Sequence, residues 1–343
     1  MSQGALEHRL EARAYALGFD LVGFARLGPP DTLAGYDAWL AAGHHADLAY
    51  MERSRELRAD ATRPEPGMVS AIVVGMNYGG TQPSGPIARY ARGQDYHRVL
   101  WDRLDALGDV LREESSTAAR TRGVVDSAPF LERDLARRAG LGWFGKNTML
   151  ISPTLGSFFV LGALLTDLEL VPSAPFEADR CGTCTRCLDA CPTDAFVAPR
   201  VLDAGRCISY HTIENRSEIP PAIAERMGDL ILGCDICQEV CPWNVKFARD
   251  AAEAAFAPRA ELTAPDLEAL LALDDTQWRT LTAGTALRRP KRAGFLRNVL
   301  IALANRGDRA AVPAVTRALD DPEPLVRAEA ERCLVRLGVT PPA

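Results

Sequence analysis

The sequence predicts a chain of mixed α+β / α/β class in three parts: an N-terminal α/β domain over 1–165, a cysteine-bearing module over 166–250, and a helical region over 251–343. Three observations carry this. Short apolar runs alternate with segments of helical periodicity through the first part, the pattern of a layered sheet. Eight of the nine cysteines fall between residues 181 and 241. Beyond them, apolar residues recur only at helical spacing.

Taken in order, Leu6, Leu10, Ala14 and Leu17 share a helical face, and Gly18 closes that helix. Residues 20–25, with Leu21, Val22, Gly23 and Phe24, read as a short strand. Met68 to Met76 holds Ala71, Ile72, Val73 and Val74 and is short enough for a buried strand; Asn77-Tyr78-Gly79-Gly80 breaks it. Helical patterning runs from Tyr96 to Glu114. Gly123 to Asp126 reads as a strand, Pro129 to Arg138 as a helix, and Ser157 to Thr166 as a strand. In the last part, Phe295, Val299, Ala302 and Leu303 form one apolar stripe. Val312, Val315 and Leu319 form a second, and Val326, Ala330, Cys333, Leu334 and Leu337 a third. The pattern resembles HEAT-type helical repeats. Too few repeats are visible to stand alone, so the segment is expected to dock on the rest, with Cys333 as a buried small hydrophobe.

The composition, 47% hydrophobic and 24% charged over 343 residues, is that of a globular protein. The net charge of −6 does not advertise a nucleic-acid partner, so such a partner must meet a local patch. One exists. Ala286 to Leu337 carries eleven Lys/Arg against six Asp/Glu, densest at Arg288-Arg289-Pro290-Lys291-Arg292 and then Arg297. A solvated helix face and a phosphate-contact surface explain it equally well. No run of eighteen apolar residues could span a membrane. The N-terminal residues lack a signal or twin-arginine pattern, so a cytoplasmic protein is expected.

The organising stretch is Cys181-Gly-Thr-Cys184-Thr-Arg-Cys187-Leu-Asp-Ala-Cys191-Pro192. This C-x2-C-x2-C-x3-C-P run wraps iron–sulfur clusters in bacterial-type ferredoxins, and its fourth cysteine ligates the neighbouring cluster. The second half is Cys234-Asp-Ile-Cys237-Gln-Glu-Val-Cys241-Pro242, with Cys207 upstream. Eight thiolates suit two [4Fe–4S] clusters. The crossing rule gives Cys181, Cys184, Cys187 and Cys241 to one, and Cys191, Cys207, Cys234 and Cys237 to the other. Zinc prefers paired C-x2-C knuckles, and disulfides suit exported chains, so both alternatives fit poorly.

Two clusters pass single electrons and need a partner centre to transform a substrate; a bare carrier needs no large domain in front. Neither a Rossmann G-x-G-x-x-G nor a P-loop is present. Ala139-Gly140-Leu141-Gly142-Trp143-Phe144-Gly145-Lys146-Asn147 is glycine-rich enough to let backbone approach a planar ligand or a phosphate, or it is a plain turn. Asp126 ends the Gly-Val-Val-Asp strand. It is placed either to face a cleft as an acid, with a pKa raised by burial against an apolar cofactor, or to cap the helix from Pro129.

Val125-Asp126-Ser127, Arg133, the Arg138–Asn147 stretch, the cluster run, Cys207-Ile208-Ser209-Tyr210, Gly233-Cys234-Asp235 and Cys241-Pro242-Trp243-Asn244 together resemble the epoxyqueuosine reductases. The resemblance covers nearly the whole chain. It implies a cobalamin-dependent iron–sulfur enzyme, resting as cob(II)alamin, that removes the epoxide oxygen of epoxyqueuosine at the tRNA wobble position. It makes residues 1–165 the cobalamin-binding domain and Asp126 the proton donor. Arg58, Ser209, Cys234 and Asp235 fall at cobalamin contacts, and the helical tail at the anticodon stem-loop, which favours Arg288, Arg289, Lys291, Arg292 and Arg297 as RNA contacts. An external electron donor and a monomeric chain are further expectations. Two departures stand out. Asp95-Tyr96-His97 resembles the start of the Asp-x-His-x-x-Gly cobalamin signature, but Leu100 takes the glycine position, so His97 is read as structural. Ser127-Ala128 replaces the family's Thr-Gly after the acid. The rival readings are a corrinoid reductive dehalogenase and a ferredoxin-like carrier with interaction repeats.

Overall fold

The computed structural model describes residues 4–341. Six strands precede the cysteine run: β1 (Leu21–Arg26), β2 (Ser70–Asn77), β3 (Thr121–Val124), β4 (Trp143–Phe144), β5 (Leu150–Ile151) and β6 (Phe159–Thr166). Four of them make one sheet in the order β1-β2-β6-β3, and every neighbouring pair is antiparallel. The domain is therefore α+β in its pairing, although helices alternate with its strands. All eight residues of β2 are buried, because both faces of the sheet are covered. Ile72, Val74 and Met76 point to the side packed by the helices Ala5–Ala16 and Tyr96–Ser115, through Leu10, Leu100, Leu104 and Leu111. Ala71 and Val73 point to the other side, where Leu135, Ala136 and Leu141 meet them. The period of two in the strand thus feeds two separate cores.

The sequence-derived boundaries hold within a few residues, with one consequential exception. Strand β3 ends at Val124, before Asp126, and the next helix, Glu132–Arg138, begins with Leu131 at its N-cap position and no capping side chain. Asp126 therefore caps nothing. It lies in the connecting turn, with φ +53°.

The tail stripes are buried as expected. The helix Lys291–Arg306 packs on Pro324–Arg336, and Phe295, Val299, Val315, Val326, Ala330 and Cys333 are all fully buried. Their core also contains Ile87 and Ala91 from the first part and Ile231 and Leu232 from the second. The tail docks through that shared core. Phe256 and Ala251, expected in the tail, pack instead into the N-terminal core.

Candidate redox centre and cleft

The eight cysteines lie in adjoining loops and act on one another's charge. Cys187 has Cys241, Cys181 and Cys184 as charged neighbours. Cys234 has Cys207 and Cys191 beside it, and Cys237 has Cys234 and Cys207. Cys237 also faces Cys187, so the sets adjoin. Burial pushes the Cys187 thiol up to about 11 and that of Cys234 to about 12, and raises Cys207, Cys237 and Cys241. A metal that takes the thiolate in exchange for the proton offsets such a shift. Among the described residues no three His, Cys, Asp or Glu side chains stand close enough to share one metal ion.

The glycine-rich stretch braces these loops. Strands β4 and β5 pair as a hairpin across it. A Cβ on Gly142 would collide with the Ile151 carbonyl oxygen, so the close approach that glycine permits is to the chain's own backbone. Lys146 Nζ donates to the carbonyls of Gly182 (2.7 Å) and Cys184 (2.9 Å). Trp143 Nε1 donates to Cys181 Sγ at 3.5 Å and stacks edge-on against Trp243. Asn147 donates to the Cys237 carbonyl. The planar-ligand reading of this stretch gives way to a scaffold for both cysteine sets. A buried network of Ser157, Gln238 and Asn244 ties the module to the start of β6.

Asp126 lies beside a histidine. His97 Nδ1 bonds Asp95 Oδ1 at 2.7 Å, and His97 Nε2 faces Asp126 Oδ2 at 3.4 Å. The ring stacks on Tyr96, 4.1 Å between centroids. The Asp126 side chain is 64% exposed. Its carboxyl is held below the usual range by the His97 hydrogen bond, against a smaller opposing effect of desolvation. Burial opposes charge on His97, but Asp126 and Asp95 more than offset it and raise the imidazole to about 9. Without a cofactor, the shared proton is therefore held by His97 and not by Asp126. His97, read from sequence as structural, belongs to the site. It is the second residue of a helix opened by Asp95, whose carboxylate accepts from the His97 N–H.

Asp126 and Arg133 are reached by solvent, yet protein surrounds them, as around residues lining a cleft. Tyr50 feels the charges of Glu214, Arg289, Asp126 and Arg58; Tyr90 feels Asp235, Asp126 and Glu214. Residues of all three parts thus lie near enough to act on one another's charge. Arg58 has Nε on Ser54 Oγ (2.9 Å) and Nη1 on the Phe130 carbonyl (2.5 Å). Ser209 is half-buried and hydrogen-bonds toward Cys207. Asp235 is buried, and its Oδ2 accepts from the Arg89 N–H (2.9 Å) and Arg89 Nη1 (3.2 Å). It holds Arg89 through Oδ2, while its Oδ1 has only the Gln238 amide at 3.5 Å.

The basic cluster divides. Arg297 is 0% exposed, donates to the carbonyls of His211 (2.6 Å), Asn215 (3.2 Å) and Ser217, and is no RNA contact. It staples the tail to the Ile208–Ile213 helix that follows Cys207. Arg292 is spent on Asp321 (2.6 and 3.1 Å) and the Leu273 carbonyl. Arg288 and Lys291 are exposed. Arg289, 56% exposed, pairs with Glu214 at the cleft mouth.

Residues 180–244 match the family model of the 4Fe-4S double cluster binding domain. An antiparallel α+β domain joined to such a module, with a carboxylate–imidazole pair in the cleft, defines an iron–sulfur oxidoreductase. Residues 58–127, from Arg58 to just past Asp126, match a model described as Epoxyqueuosine reductase QueG, DUF1730. An epoxyqueuosine reductase of Alicycliphilus denitrificans is 41% identical over 313 residues, 87% of this chain and 86% of its own. That of Escherichia coli K12 is 39% identical over 310 residues, 88% and 81%. An epoxyqueuosine reductase solved with an epoxyqueuosine-modified tRNA-Tyr stem loop superposes with TM-score 0.87 at 31% identity, covering 97% of this chain and 90% of that one. The Bacillus subtilis enzyme, solved with its catalytic aspartate loop swung out of the active site, gives 0.89 at 30% over the same shares. The chain belongs to the epoxyqueuosine reductase family.

Proposed function

We propose that this chain reduces epoxyqueuosine to queuosine at the wobble position of a tRNA anticodon, the last step in making that nucleoside. The observation that carries the reading is a proton-holding pair, Asp126 and His97, with the exposed tail cation Arg289 near enough to act on the Asp126 charge. Removing an epoxide oxygen as water consumes two electrons and two protons. Two [4Fe–4S] clusters, which Cys181, Cys184, Cys187 and Cys241 and Cys191, Cys207, Cys234 and Cys237 would hold, would supply those electrons from an external donor.

A cobalamin would sit beside the second cysteine set, where Ser209 is half-buried against Cys207. Arg58, Ser209 and the backbone at Cys234 would hold it. A bound cobalamin supplies a low-valent cobalt nucleophile toward the epoxide. The chain's own residues do the rest. Asp126 Oδ2, recharged by His97 Nε2, delivers a proton to the leaving oxygen; Asp95 keeps the His97 ring oriented. The reacting nucleoside lies in a single-stranded loop and can be splayed into the cleft, while Arg288 and Lys291 contact phosphates.

The test is an anaerobic assay with cluster-loaded, cobalamin-reconstituted protein, a low-potential reductant and an epoxyqueuosine-bearing anticodon stem-loop. The expected result is loss of one oxygen mass from the nucleoside. Retained clusters and cobalamin without conversion would sink the proposal.

A further inference from the structure

Asp126 occupies backbone that a non-glycine residue resists. Its φ is +53°, and the Ser127 N–H reaches back across it to the Val125 carbonyl at 2.5 Å, closing a γ-turn of the rarer hand. Such a turn persists only where neighbours hold it. Two side chains do so. Glu132 Oε1 accepts from the Asp126 N–H at 2.6 Å, and Arg58 Nη1 donates to the Phe130 carbonyl at the far end of the loop. His97, at 3.4 Å from the Asp126 carboxylate, is the looser restraint.

We propose that Glu132 is the latch that keeps the Asp126 turn docked in the cleft, a positioning residue that acts through the Asp126 backbone. It faces Asp126 on the loop, Arg58 from the wall and Arg133 on its own helix. Burial, and then the charge of Asp126, push its carboxyl up to about 7. The bond to the Asp126 N–H is therefore charge-assisted above neutrality and loses that assistance below it. In the Bacillus subtilis relative the catalytic loop has been captured swung out. Here the strained turn gives the loop a reason to leave, and Glu132 the means of keeping it. Only the kinetic arm of the test rests on Asp126 as proton donor.

The experiment is hydrogen exchange by mass spectrometry across residues 124–131 in the cluster-loaded chain without substrate, at about pH 6 and about pH 8. Wild type should exchange more slowly at the higher pH once intrinsic rates are removed. Glu132→Ala should speed exchange by ~10-fold or more, and Glu132→Gln, which keeps the acceptor oxygen but not the charge, by less and without the pH dependence. In turnover, kcat should fall in Glu132→Ala with KM for the stem-loop unchanged, and recover partly in Glu132→Gln. Wild-type exchange in Glu132→Ala, or an equal rise along the whole Glu132–Arg138 helix, would overturn the latch. If Glu132→Ala loses its iron, wild type and Glu132→Gln carry the test: equal exchange at both pH values overturns it. Altered exchange with unaltered turnover keeps the latch and removes Asp126 from the chemistry.

Discussion

His97 shows how a residue's meaning depends on what folds beside it. Its pKa is raised above 6.5, so its charge is complete below that value and is lost as pH rises through about 9. Asp126 is shifted the opposite way, so its half of the pair is lost only as pH falls below the usual carboxylate range. The stem-loop reaction should therefore lose rate as pH rises through about 9. His97→Gln should remove that limb and lower the plateau by roughly 10²-fold, with cluster content intact. A pH–rate profile of the variant that retains the wild-type limb would assign it to another group. None of this was legible in the sequence: Asp126 and His97 are separated by β3 and most of a long helix, and only the antiparallel sheet brings them together. Cys333 was legible, because its helical stripe alone predicted burial. Its thiol is fully buried and pushed up to about 12, so Cys333→Ser should destabilise the tail by about 1–3 kcal/mol in denaturant unfolding.

At the scale of elements, cysteine spacing marked the double-cluster module, because its motif is local in the chain. Charge density could not separate structural from available cations, because a buried and an exposed arginine look alike in sequence. Arg297 and Arg292 are consumed inside the fold, whereas Arg288 and Lys291 are exposed. Reversing Arg288 and Lys291 to Glu should weaken stem-loop binding and reduce the slope of log affinity against log salt by about one for each phosphate partner removed, leaving iron content unchanged. Arg297→Ala should instead unfold the tail. Unchanged affinity and slope in the double variant would return this surface to a solvated face. The β4–β5 hairpin makes a separate prediction. Lys146→Ala removes two hydrogen bonds to the first cysteine loop, so a chelator should strip iron at least several-fold faster than from wild type.

Across the whole molecule, the three parts share cores, and so the cleft is a property of the assembly. Ile87 and Ile231 lie in the tail's core, Phe256 lies in the core of the first domain, and Arg297 with Asn298 bonds the helix behind Cys207. Alternating periodicity predicted the layers, but not that every strand pair is antiparallel, since sequence distance between strands leaves direction open. Removing iron should therefore loosen more than the cysteine module: apo protein should lose protection in the Lys291–Arg306 helix as well, and metal analysis of the intact anaerobic chain should return about eight irons.

A proton delivered from Asp126 into a cleft fed by electrons from the clusters is the step on which the proposed chemistry depends. Single-turnover deoxygenation by Asp126→Asn, loaded with iron and cobalamin to wild-type levels, tests it most directly. A fall of ~10²-fold or more at unchanged stem-loop affinity is predicted; turnover at the wild-type rate would contradict it.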